Sequence, residues 1–361
     1  MKIIHCADIH LDSWMGTNFN KEKAKERRNE ILNTFRRMVD YAAVNGVDAI
    51  IIAGDLYDTR KISATAANVF INAVKNNPDI TFYYLKGNHD AESLLGAFDV
   101  IPDNLKLFGN SWTSYRYKSI DITGIELDKD NGRTACDSLA LDRDSFNIVI
   151  MHGQISEYAG RGKAETINLR ALRNKGIDYL ALGHVHSYCS EKLDSRGKWC
   201  YPGCLEGRGF DECGEHGFVL IDIDEDRLTY TDTFVPFASR KVCEINVDIS
   251  GCRDNSDIES RIMDRKQYAD ESAIVKIVLS GKAECDCIKD TELIENRMRD
   301  MFYALRIYDE SSFIVDYNTY ENDRSLKGEF VRMVKASELD EDDKAEVIRC
   351  GIQALSGRHE G

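Results

Sequence analysis

The sequence lacks the features of a membrane-spanning or secreted protein. None of its apolar runs reaches the roughly 18 residues that a transmembrane helix needs. The chain opens directly on a strand-like run, so we expect no signal peptide and a cytoplasmic protein without membrane contact. Its 11 cysteines match no common zinc-binding spacing, and without a secretory signal we expect them to be reduced thiols.

Basic residues are fewer than acidic ones. The 47 Lys and Arg residues face 62 Asp and Glu residues, and the formal net charge of −15 argues against a protein that coats nucleic acid with its whole surface. A local exception is a basic strip in the helix predicted over residues 21–45. Its members are Lys21, Lys23, Lys25, Arg27, Arg28, Arg36 and Arg37. Because Glu residues are interleaved with them, the strip fits either a DNA-facing surface or an ordinary solvated helix face.

What the sequence does contain is a series of five short apolar runs that each end in residues able to bind a metal. Runs of this length, rich in Ile, Val, Tyr and Phe and bounded by Gly or Asp, predict buried strands. The run endings are Asp8-Ile9-His10, Gly54-Asp55, Gly87-Asn88-His89-Asp90, His152-Gly153 and Gly183-His184-Val185-His186. In an α/β sheet the strand ends gather along one edge, so these side chains can converge there.

This set of side chains predicts a two-metal site. Carboxylate oxygens mixed with imidazole nitrogens suit Mn²⁺, Fe²⁺ or Zn²⁺ better than Mg²⁺ or Ca²⁺. A single Asp-x-His pair is more often structural, but five such elements at strand ends argue against a purely structural origin. We therefore expect two divalent metal ions, Mn²⁺ in the first place, with Fe²⁺ or Zn²⁺ as alternatives.

The five blocks, in this order, resemble the calcineurin-like metallophosphoesterase superfamily. The match includes the block Gly54-Asp55-Leu56-Tyr57-Asp58 and spans nearly 180 residues. More narrowly, the chain resembles SbcD-type DNA repair exonucleases, the nuclease partners of SbcC-type ATPases. The segments that carry this closer resemblance are 5–12, 53–59, 201–206, 210–212 and the tail segment 325–332. Cys204 stands where that subgroup usually has Ser.

The resemblance implies a role for each residue of the site. The implied metal ligands are Asp8, His10 and His186 for one ion, Asn88, His152 and His184 for the other, and Asp55 as the bridge between them. His89 would face the leaving oxygen of the substrate and stabilise or protonate it, with Asp90 fixing its tautomer. Asp90 could equally be a simple turn residue of its loop.

The predicted fold is α/β. We expect a layered metallophosphoesterase β-sandwich flanked by helices over residues 1–238, a small α/β capping domain over 239–316 and a helical tail over 317–361. The tail helices are short and carry two apolar stripes, which would either dock on a partner or fold back on their own domain. The stripes consist of Phe330, Val331 and Val334, and of Val347, Ile348, Ile352 and Leu355.

Together these features predict a DNA repair enzyme. It would be a metal-dependent DNA phosphodiesterase, an exonuclease that could also cut single strands internally, and would act with an SbcC-type ATPase. Two alternatives stay open: a phosphoesterase for a small substrate, such as a cyclic nucleotide or phosphomonoester, and a non-catalytic DNA-end scaffold. The resemblance also implies a homodimer through helices near residues 62–76 and 91–101. Its contact residues would be Ala64, Ala67, Phe70, Leu94, Leu95 and Phe98, which could equally be ordinary core.

Overall fold

A computed structural model describes residues 1–58, 62–88, 90, 101–157, 166–284, 287 and 289–355. The chain forms two compact units, Met1–Lys241 and Val242–Gly361. Among the helices in these ranges, none is both long enough and apolar enough to cross a membrane.

The first unit contains a six-stranded sheet that begins with the N-terminal strand. Its strands are β1 (Lys2–Cys6), β2 (Ala49–Ala53), β3 (Thr81–Leu85), β4 (Leu105–Leu107), β13 (Gly217–Asp224) and β14 (Thr229–Pro236). Their order across the sheet is β14-β13-β1-β2-β3-β4. Strands β1 to β4 run parallel, whereas β13 pairs antiparallel with both β1 and β14. The carboxyl ends of the parallel strands therefore share one edge.

A second six-stranded sheet belongs to the same unit. Its strands are β5 (Thr113–Tyr117), β6 (Ile120–Gly124), β7 (Phe146–His152), β10 (Tyr179–Gly183), β11 (Cys189–Lys192) and β12 (Lys198–Tyr201), with the short pair β8 (Gln154–Ser156) and β9 (Thr166–Asn168) beside it. The order is β11-β12-β10-β7-β6-β5. Strand β12 pairs antiparallel with β11 and parallel with β10, so it belongs to this second sheet and not to the sheet of β13 and β14.

The two sheets pack face to face around one apolar core. Ile51 of β2 and Ile150 of β7 belong to the same buried cluster. The remaining faces are covered by α1 (Lys21–Val44) and α2 (Ala64–Asn76) on the first sheet, and by α3 (Ala135–Ser138) and α4 (Leu169–Leu172) on the second. Because both faces of β2 are covered, all five of its residues are apolar and buried. This architecture is the predicted sandwich flanked by helices.

Helix α1 carries the predicted basic strip, and one member of the strip is buried. Asn20 caps the helix by accepting a hydrogen bond from the Lys23 amide, and Gly46 follows its end with a φ of +64°. Arg27, however, is fully buried. Its guanidinium donates to Glu206 at 2.9 Å and also pairs with Glu30. Arg27 is therefore an interior ion-pair residue and not part of a DNA-facing surface.

His5 is a buried histidine whose titration should affect stability. Its Nδ1 lies 3.0 Å from the Tyr179 hydroxyl, and burial lowers its pKa to about 3. The folded protein thus binds this proton less well than the unfolded chain, so stability is complete above about pH 6.5 and falls as the pH drops toward 3. Between pH 7 and pH 4.5 the free energy of unfolding falls in the parent protein. In a His5→Phe/Tyr179→Phe double variant this fall should be smaller by about 2–3 kcal/mol, as measured by urea denaturation at the two pH values. Equal losses would show that His5 does not carry this acid sensitivity.

The second unit has a three-stranded parallel sheet, β15-β16-β18, and a separate pair of strands, β17 and β19. The strands of the unit are β15 (Val242–Asp248), β16 (Ile274–Ser280), β17 (Lys282–Glu284), β18 (Ala304–Asp309) and β19 (Ser312–Ile314). Its helices are α5 (Asn255–Met263), α6 (Thr291–Met298), α7 (Tyr317–Glu321), α8 (Leu326–Lys335) and α9 (Glu341–Leu355). Strands β15, β16 and β18 run parallel, with α5 and α6 in the two crossovers. Together with the sandwich and the helical C-terminal region, this confirms the predicted α/β fold class.

The two apolar stripes predicted for the tail pack mainly on each other. Val331 and Val334 of α8 form a buried cluster with Ile348 and Ile352 of α9, and Phe313 of β19 packs against it. We predicted the stripes as a surface for a partner or as helices folded back on their own domain, and the second alternative describes these buried residues. Two other residues of the second stripe, Val347 and Leu355, are 39% and 41% exposed.

Candidate metal centre

The predicted ligands lie where strands end in both sheets of the sandwich. Asp8 and His10 follow β1, Asp55 follows β2, Asn88 follows β3, His152 ends β7, and His184 and His186 follow β10. The strands β1, β2 and β3 are parallel neighbours, as are β7 and β10. Residues up to 178 positions apart in the chain, such as Asp8 and His186, are thereby brought to one place.

The backbone is strained at several of these positions. Seven non-glycine residues in the described ranges have a positive φ, and four of them are predicted ligands. These four are Asp8 (49°), His10 (50°), Asp55 (51°) and His184 (108°). A non-glycine residue in this region costs on the order of 1 kcal/mol or more, and such strain is characteristic of functional sites.

Two glycines of the motifs make room for the ligands. At Gly54, which has a φ of +93°, a Cβ atom would lie 2.1 Å from Nδ1 of His152. At Gly183 a Cβ atom would lie 1.9 Å from the carbonyl oxygen of Ala53. Only glycine allows the two sheets to approach this closely at their carboxyl edge, which explains the Gly-Asp and Gly-His pairs in the sequence.

Two groups of side chains could each hold a metal ion. One consists of Asp8, His10 and His186 and the other of Asp8, Asp55 and His152, and within each group the ligand atoms lie within 4.8 Å of one another. The first group is the one that the resemblance implied. The second contains Asp55 and His152 as implied, but the residue common to both groups is Asp8. The Asp8 carboxylate also accepts the His184 amide at 3.0 and 2.9 Å, which joins the two sheets.

The surroundings of His152 fit a cation. Its Nδ1 lies 2.9 Å from the Ala53 carbonyl, which can only accept, so Nδ1 carries a hydrogen and Nε2 is the nitrogen left to take a second proton or a metal ion. Nε2 lies 3.0 Å from Oδ1 of Asn88 and 3.4 Å from Oδ2 of Asp55, and the ring centroid of His184 is 5.4 Å away. Three lone-pair atoms that face one another repel unless a proton or a metal ion lies among them.

The other imidazoles are oriented by carboxylates. Nδ1 of His186 donates to Glu212 at 2.7 Å, and Nδ1 of His10 lies 3.3 Å from Asp58. Arg208 ties the two carboxylates together, at 3.0 Å from Glu212 and 3.6 Å from Asp58. With Nδ1 of each imidazole facing a carboxylate, Nε2 is the nitrogen that would hold a metal ion, as is common where carboxylates stand behind metal-binding histidines. Glu212 and Arg208 were not among the predicted site residues, although Glu212 belongs to segment 210–212, which carries part of the resemblance.

Residues 1–188 match the family model of the calcineurin-like phosphoesterases. The chain belongs to this family. It is 26% identical over 381 residues to the DNA double-strand break repair protein Mre11 of Saccharolobus solfataricus, covering 96% of this chain and 93% of that protein. It is 28% identical over 246 residues to the uncharacterized metallophosphoesterase YhaO of Bacillus subtilis, covering 64% of this chain and 59% of that protein. The crystal structure of TT1561 of Thermus thermophilus matches with a TM-score of 0.41 at 14% identity, covering 64% of this chain and 98% of that chain.

The role of Glu212 in this phosphoesterase can be tested. Replacing Glu212 by Gln keeps the size of the side chain but removes the charge that holds His186. We expect the affinity for Mn²⁺ to fall by about 10- to 100-fold, the usual effect of losing such a partner, measured by titration calorimetry. Asp211→Asn, at the exposed neighbouring position, is the matched control and should bind Mn²⁺ like the parent. An unchanged affinity in Glu212→Gln would show that His186 needs no such support.

Asp90 braces the loops that carry two predicted ligands. Its carboxylate accepts the backbone amides of Tyr57 at 2.8 Å, Leu56 at 3.3 Å and Gly87 at 2.9 Å. Burial is the largest cause that raises the pKa of Asp90, to about 6, against the opposing effect of these amides. The bonds join the segment after Asp55 to the segment before Asn88. The implied partner of Asp90, His89, lies outside the described residues.

The electrostatics of the phosphoesterase site favour bound cations at its base. Asp8, His10, Asp55 and His152 are buried, whereas His184, His186 and Asn88 are partly or fully exposed. Burial raises the pKa of Asp8, so its negative charge is costly without a counter-ion. Burial alone would lower the pKa of His152, but the hydrogen bond and charge of Asp55 raise it to about 9. The donor set therefore fits divalent metal ions at the base, with the exposed ligands on the side open to a substrate.

Among the described residues, no cysteine belongs to a group of side chains that could hold a metal. Cys189, Cys200 and Cys204 are free thiols, and Cys285 lies outside the described residues. Cys204, at the position where the SbcD-type subgroup usually has Ser, is buried with its Sγ 3.3 Å from Nδ1 of His216.

Proposed function

We propose that this phosphoesterase hydrolyses DNA phosphodiester bonds and acts in DNA repair with an SbcC-type ATPase. The observation that carries the proposal is the set of carboxylate and imidazole donors at the strand ends. The proposed ligands are Asp8, His10 and His186 for one ion, and Asn88, Asp55, His152 and His184 for the other. Two divalent ions bound there would generate a nucleophile from water and neutralise the charge of the phosphate. Mn²⁺ is the ion we propose, from the mixture of donors.

The chain's own residues would contribute orientation and proton transfer. Glu212 and Asp58 would hold the imidazoles of His186 and His10 in the tautomer that carries its hydrogen on Nδ1. Asp90 holds the loop of Asp55 and the loop of Asn88 together by accepting three hydrogen bonds from their backbone amides. His89 would donate a proton to the leaving oxygen, because it is the histidine of the motifs to which the resemblance gives no metal.

A polymeric substrate is supported by the extent of the similarity. The family match ends at residue 188, whereas the similarity to the DNA double-strand break repair protein covers 96% of this chain and includes most of the second unit. All the predicted metal ligands lie in the first unit, so the second unit is not needed to hold the metal ions. The retained second unit therefore favours DNA over a cyclic nucleotide or phosphomonoester, and action on DNA agrees with the cytoplasmic location that we expect.

The deciding experiment supplies the purified protein with Mn²⁺ and linear duplex DNA. We expect the DNA to be digested, and digestion to stop when EDTA is added. Bis-p-nitrophenyl phosphate and a cyclic nucleotide are tested in parallel. Hydrolysis of the small esters without digestion of DNA would favour the small-substrate alternative. Inactivity on every substrate, despite bound metal, would favour the non-catalytic DNA-end scaffold.

The partner ATPase would bind the exposed apolar residues of the tail. Leu326 and Met333 of α8 are 69% and 70% exposed, and seven residues apart they lie on one face of the helix. Replacing both by Asp should abolish co-purification with the ATPase and leave Mn²⁺-dependent cutting of short DNA unchanged. The matched control is Met263→Asp, at an apolar residue of α5 that is 50% exposed. A variant that still binds the ATPase at full affinity would place the docking surface elsewhere.

A homodimer stays part of the proposal, with fewer contact residues than the sequence suggested. Phe70 is completely buried inside the first unit, where its ring packs edge-on against Phe82 and at a tilt beside Tyr84, and so belongs to the core. Ala64 is exposed at the start of α2. The predicted contacts Leu94, Leu95 and Phe98 lie outside the described residues. Light scattering on the purified protein would measure the oligomeric state.

A further inference from the structure

A tryptophan stands exposed on the turn that follows the predicted ligand His10. Trp14 is 72% exposed to solvent. The preceding residue, Ser13, donates its backbone amide to the His10 carbonyl at 3.0 Å and its hydroxyl to Asp58 at 2.9 Å. Asp58 in turn contacts His10 at 3.3 Å. Because four residues span at most about 14 Å even when fully extended, the Trp14 backbone must lie near the metal centre.

The indole of Trp14 is held in place on two sides. It lies over Gly16, where a Cβ atom would come within 2.8 Å of the ring. The guanidinium of Arg28, on α1, lies 5.6 Å from the ring centroid, within cation–π range. A large apolar ring that is exposed and yet held presents a ready-made flat surface to a ligand.

The segment after Trp14 is packed against the loop that follows Arg208. The rings of Phe19 and Phe210 are 6.0 Å apart, and a Cβ atom at Gly209 would lie 2.3 Å from the side chain of Asn18. Arg208 itself contacts the carboxylate that orients His186. The turn that carries Trp14 is therefore held beside the candidate metal centre, on the side of His10 and His186.

The surface beside Trp14 is basic although the whole chain is acidic. Lys21, Lys25 and Arg28 lie at positions i, i+4 and i+7 of α1, on one face of the helix. The nearby acidic residues Glu26 and Glu30 pair with Arg240. Within the described residues no carboxylate forms an ion pair with Lys21, Lys25 or Arg28. These three cations are what is left of the predicted basic strip next to the site.

We propose that Trp14 binds single-stranded DNA by stacking on a nucleobase near the scissile phosphate, with Lys21, Lys25 and Arg28 contacting the backbone phosphates. The inference rests on the proposed hydrolysis of DNA. An aromatic surface flanked by cations is the usual device for binding single strands without sequence preference, since every base has a flat face. A paired base already stacks on its neighbours inside a duplex, so the ligand is the unpaired strand.

The tryptophan content of the chain makes a direct binding test possible. The three tryptophans are Trp14, Trp112 and Trp199. Trp199 is 6% exposed, and Trp112 is half-buried with its indole nitrogen donating to the Ala135 carbonyl at 3.0 Å. Quenching of the intrinsic fluorescence by a DNA oligonucleotide therefore reports mainly on Trp14. The titration uses full-length protein in EDTA, where no metal is available for cleavage.

The expected result is that oligo(dT) quenches the fluorescence, whereas an abasic oligonucleotide of equal length, with the same phosphates and no bases, leaves it nearly unchanged. Trp14→Ala should raise the Kd for oligo(dT), measured by anisotropy of labelled DNA, by about 5- to 100-fold, the usual effect of losing a base-stacking ring. Trp14→Phe, which keeps a ring, should recover most of the affinity.

The matched control is Tyr117→Ala. Tyr117 is 37% exposed and has the ammonium of Lys118 5.1 Å from its ring centroid. It pairs with Ile120, at the amino end of β6, so it lies at the edge of the sheet opposite His152. This variant should bind oligo(dT) like the parent, because its exposed ring is far from the metal centre.

Three outcomes would overturn the inference. Equal quenching by abasic DNA would mean that only charge is recognised, an unchanged Kd in Trp14→Ala would mean that the ring is not used, and quenching by anionic vesicles but not by DNA would point to a membrane surface. Failure of the proposed function looks different, since parent protein would then not digest DNA with Mn²⁺. A parent that digests DNA, with a Trp14→Ala variant of unchanged Kd, refutes only the stacking surface.

Discussion

Replacing Asp55 by Asn should abolish the paired metal site and lower Mn²⁺-dependent hydrolysis by more than about 10³-fold. Both the activation of water and the neutralisation of the phosphate depend on the metals, and each is worth several kcal/mol. Asp55 lies in the base of the site, where its Oδ2 is 3.4 Å from Nε2 of His152. Without its charge, the attraction for a second cation beside Asp8 is greatly weakened. Elemental analysis after Mn²⁺ loading and hydrolysis of bis-p-nitrophenyl phosphate would measure the two losses.

Asn is the appropriate substitution because of the backbone at position 55. The φ of Asp55 is 51°, a conformation that Asn tolerates and Ala does not adopt without strain. The metal-free variant should unfold at a temperature close to that of the parent, because the change relieves the repulsion between two carboxylates and at the same time removes the ion pair of Asp55 with His152. The rise in Tm that Mn²⁺ gives the parent should be absent. Asp130→Asn, at an exposed loop position, is the control.

The opposite result is informative. If Asp55→Asn keeps two Mn²⁺ ions and near-parental activity, then Asp8, the residue common to the two groups of side chains, is sufficient as the bridge. The resemblance implied Asp55 as the bridging ligand, whereas Asp8 is the residue that the two groups of side chains share. The stoichiometry of bound Mn²⁺ in Asp55→Asn and in a parallel Asp8→Asn variant would separate the two assignments.

The convergence of the ligands could be predicted because it depends on strand order alone. Buried parallel strands bring their carboxyl ends to one edge, and each of the five motifs directly follows or ends such a strand. The glycines beside Asp55 and His184 also indicated this convergence, because their lack of a side chain permits the close approach of the two sheets. Local sequence patterns therefore predicted most residues of the candidate metal centre.

The supporting contacts could not be predicted, because they join side chains across long distances in the sequence. Arg27 looks like a member of a basic helix face, and only its partner Glu206, 179 residues away, places it in the interior. Glu212 lies 26 residues beyond His186, in a segment without strand or helix periodicity. Hydrophobic spacing predicts which face of an element is buried, but not which carboxylate faces which cation.

His89→Ala should retain both metals and yet lose about 10²–10⁴-fold in the hydrolysis of DNA, the usual contribution of a positioned acid. The resemblance gives His89 no metal to bind, so the Mn²⁺ content should equal that of the parent. Its loop should keep its backbone, because the neighbouring Asp90 is held by the amides of Leu56, Tyr57 and Gly87. A loss of activity would then come from the missing imidazole and not from a displaced Asn88.

The leaving group of the substrate separates proton donation from other roles of His89. The 3′- or 5′-oxygen of DNA needs a proton as it departs, whereas p-nitrophenolate leaves readily without one. If His89 is the acid, His89→Ala should therefore be much less impaired on bis-p-nitrophenyl phosphate than on DNA. Equal losses on both substrates would instead indicate that His89 stabilises the charge of the phosphate itself. A fall in bound Mn²⁺ would identify His89 as a ligand, because an acid that touches only the leaving oxygen has no effect on metal affinity.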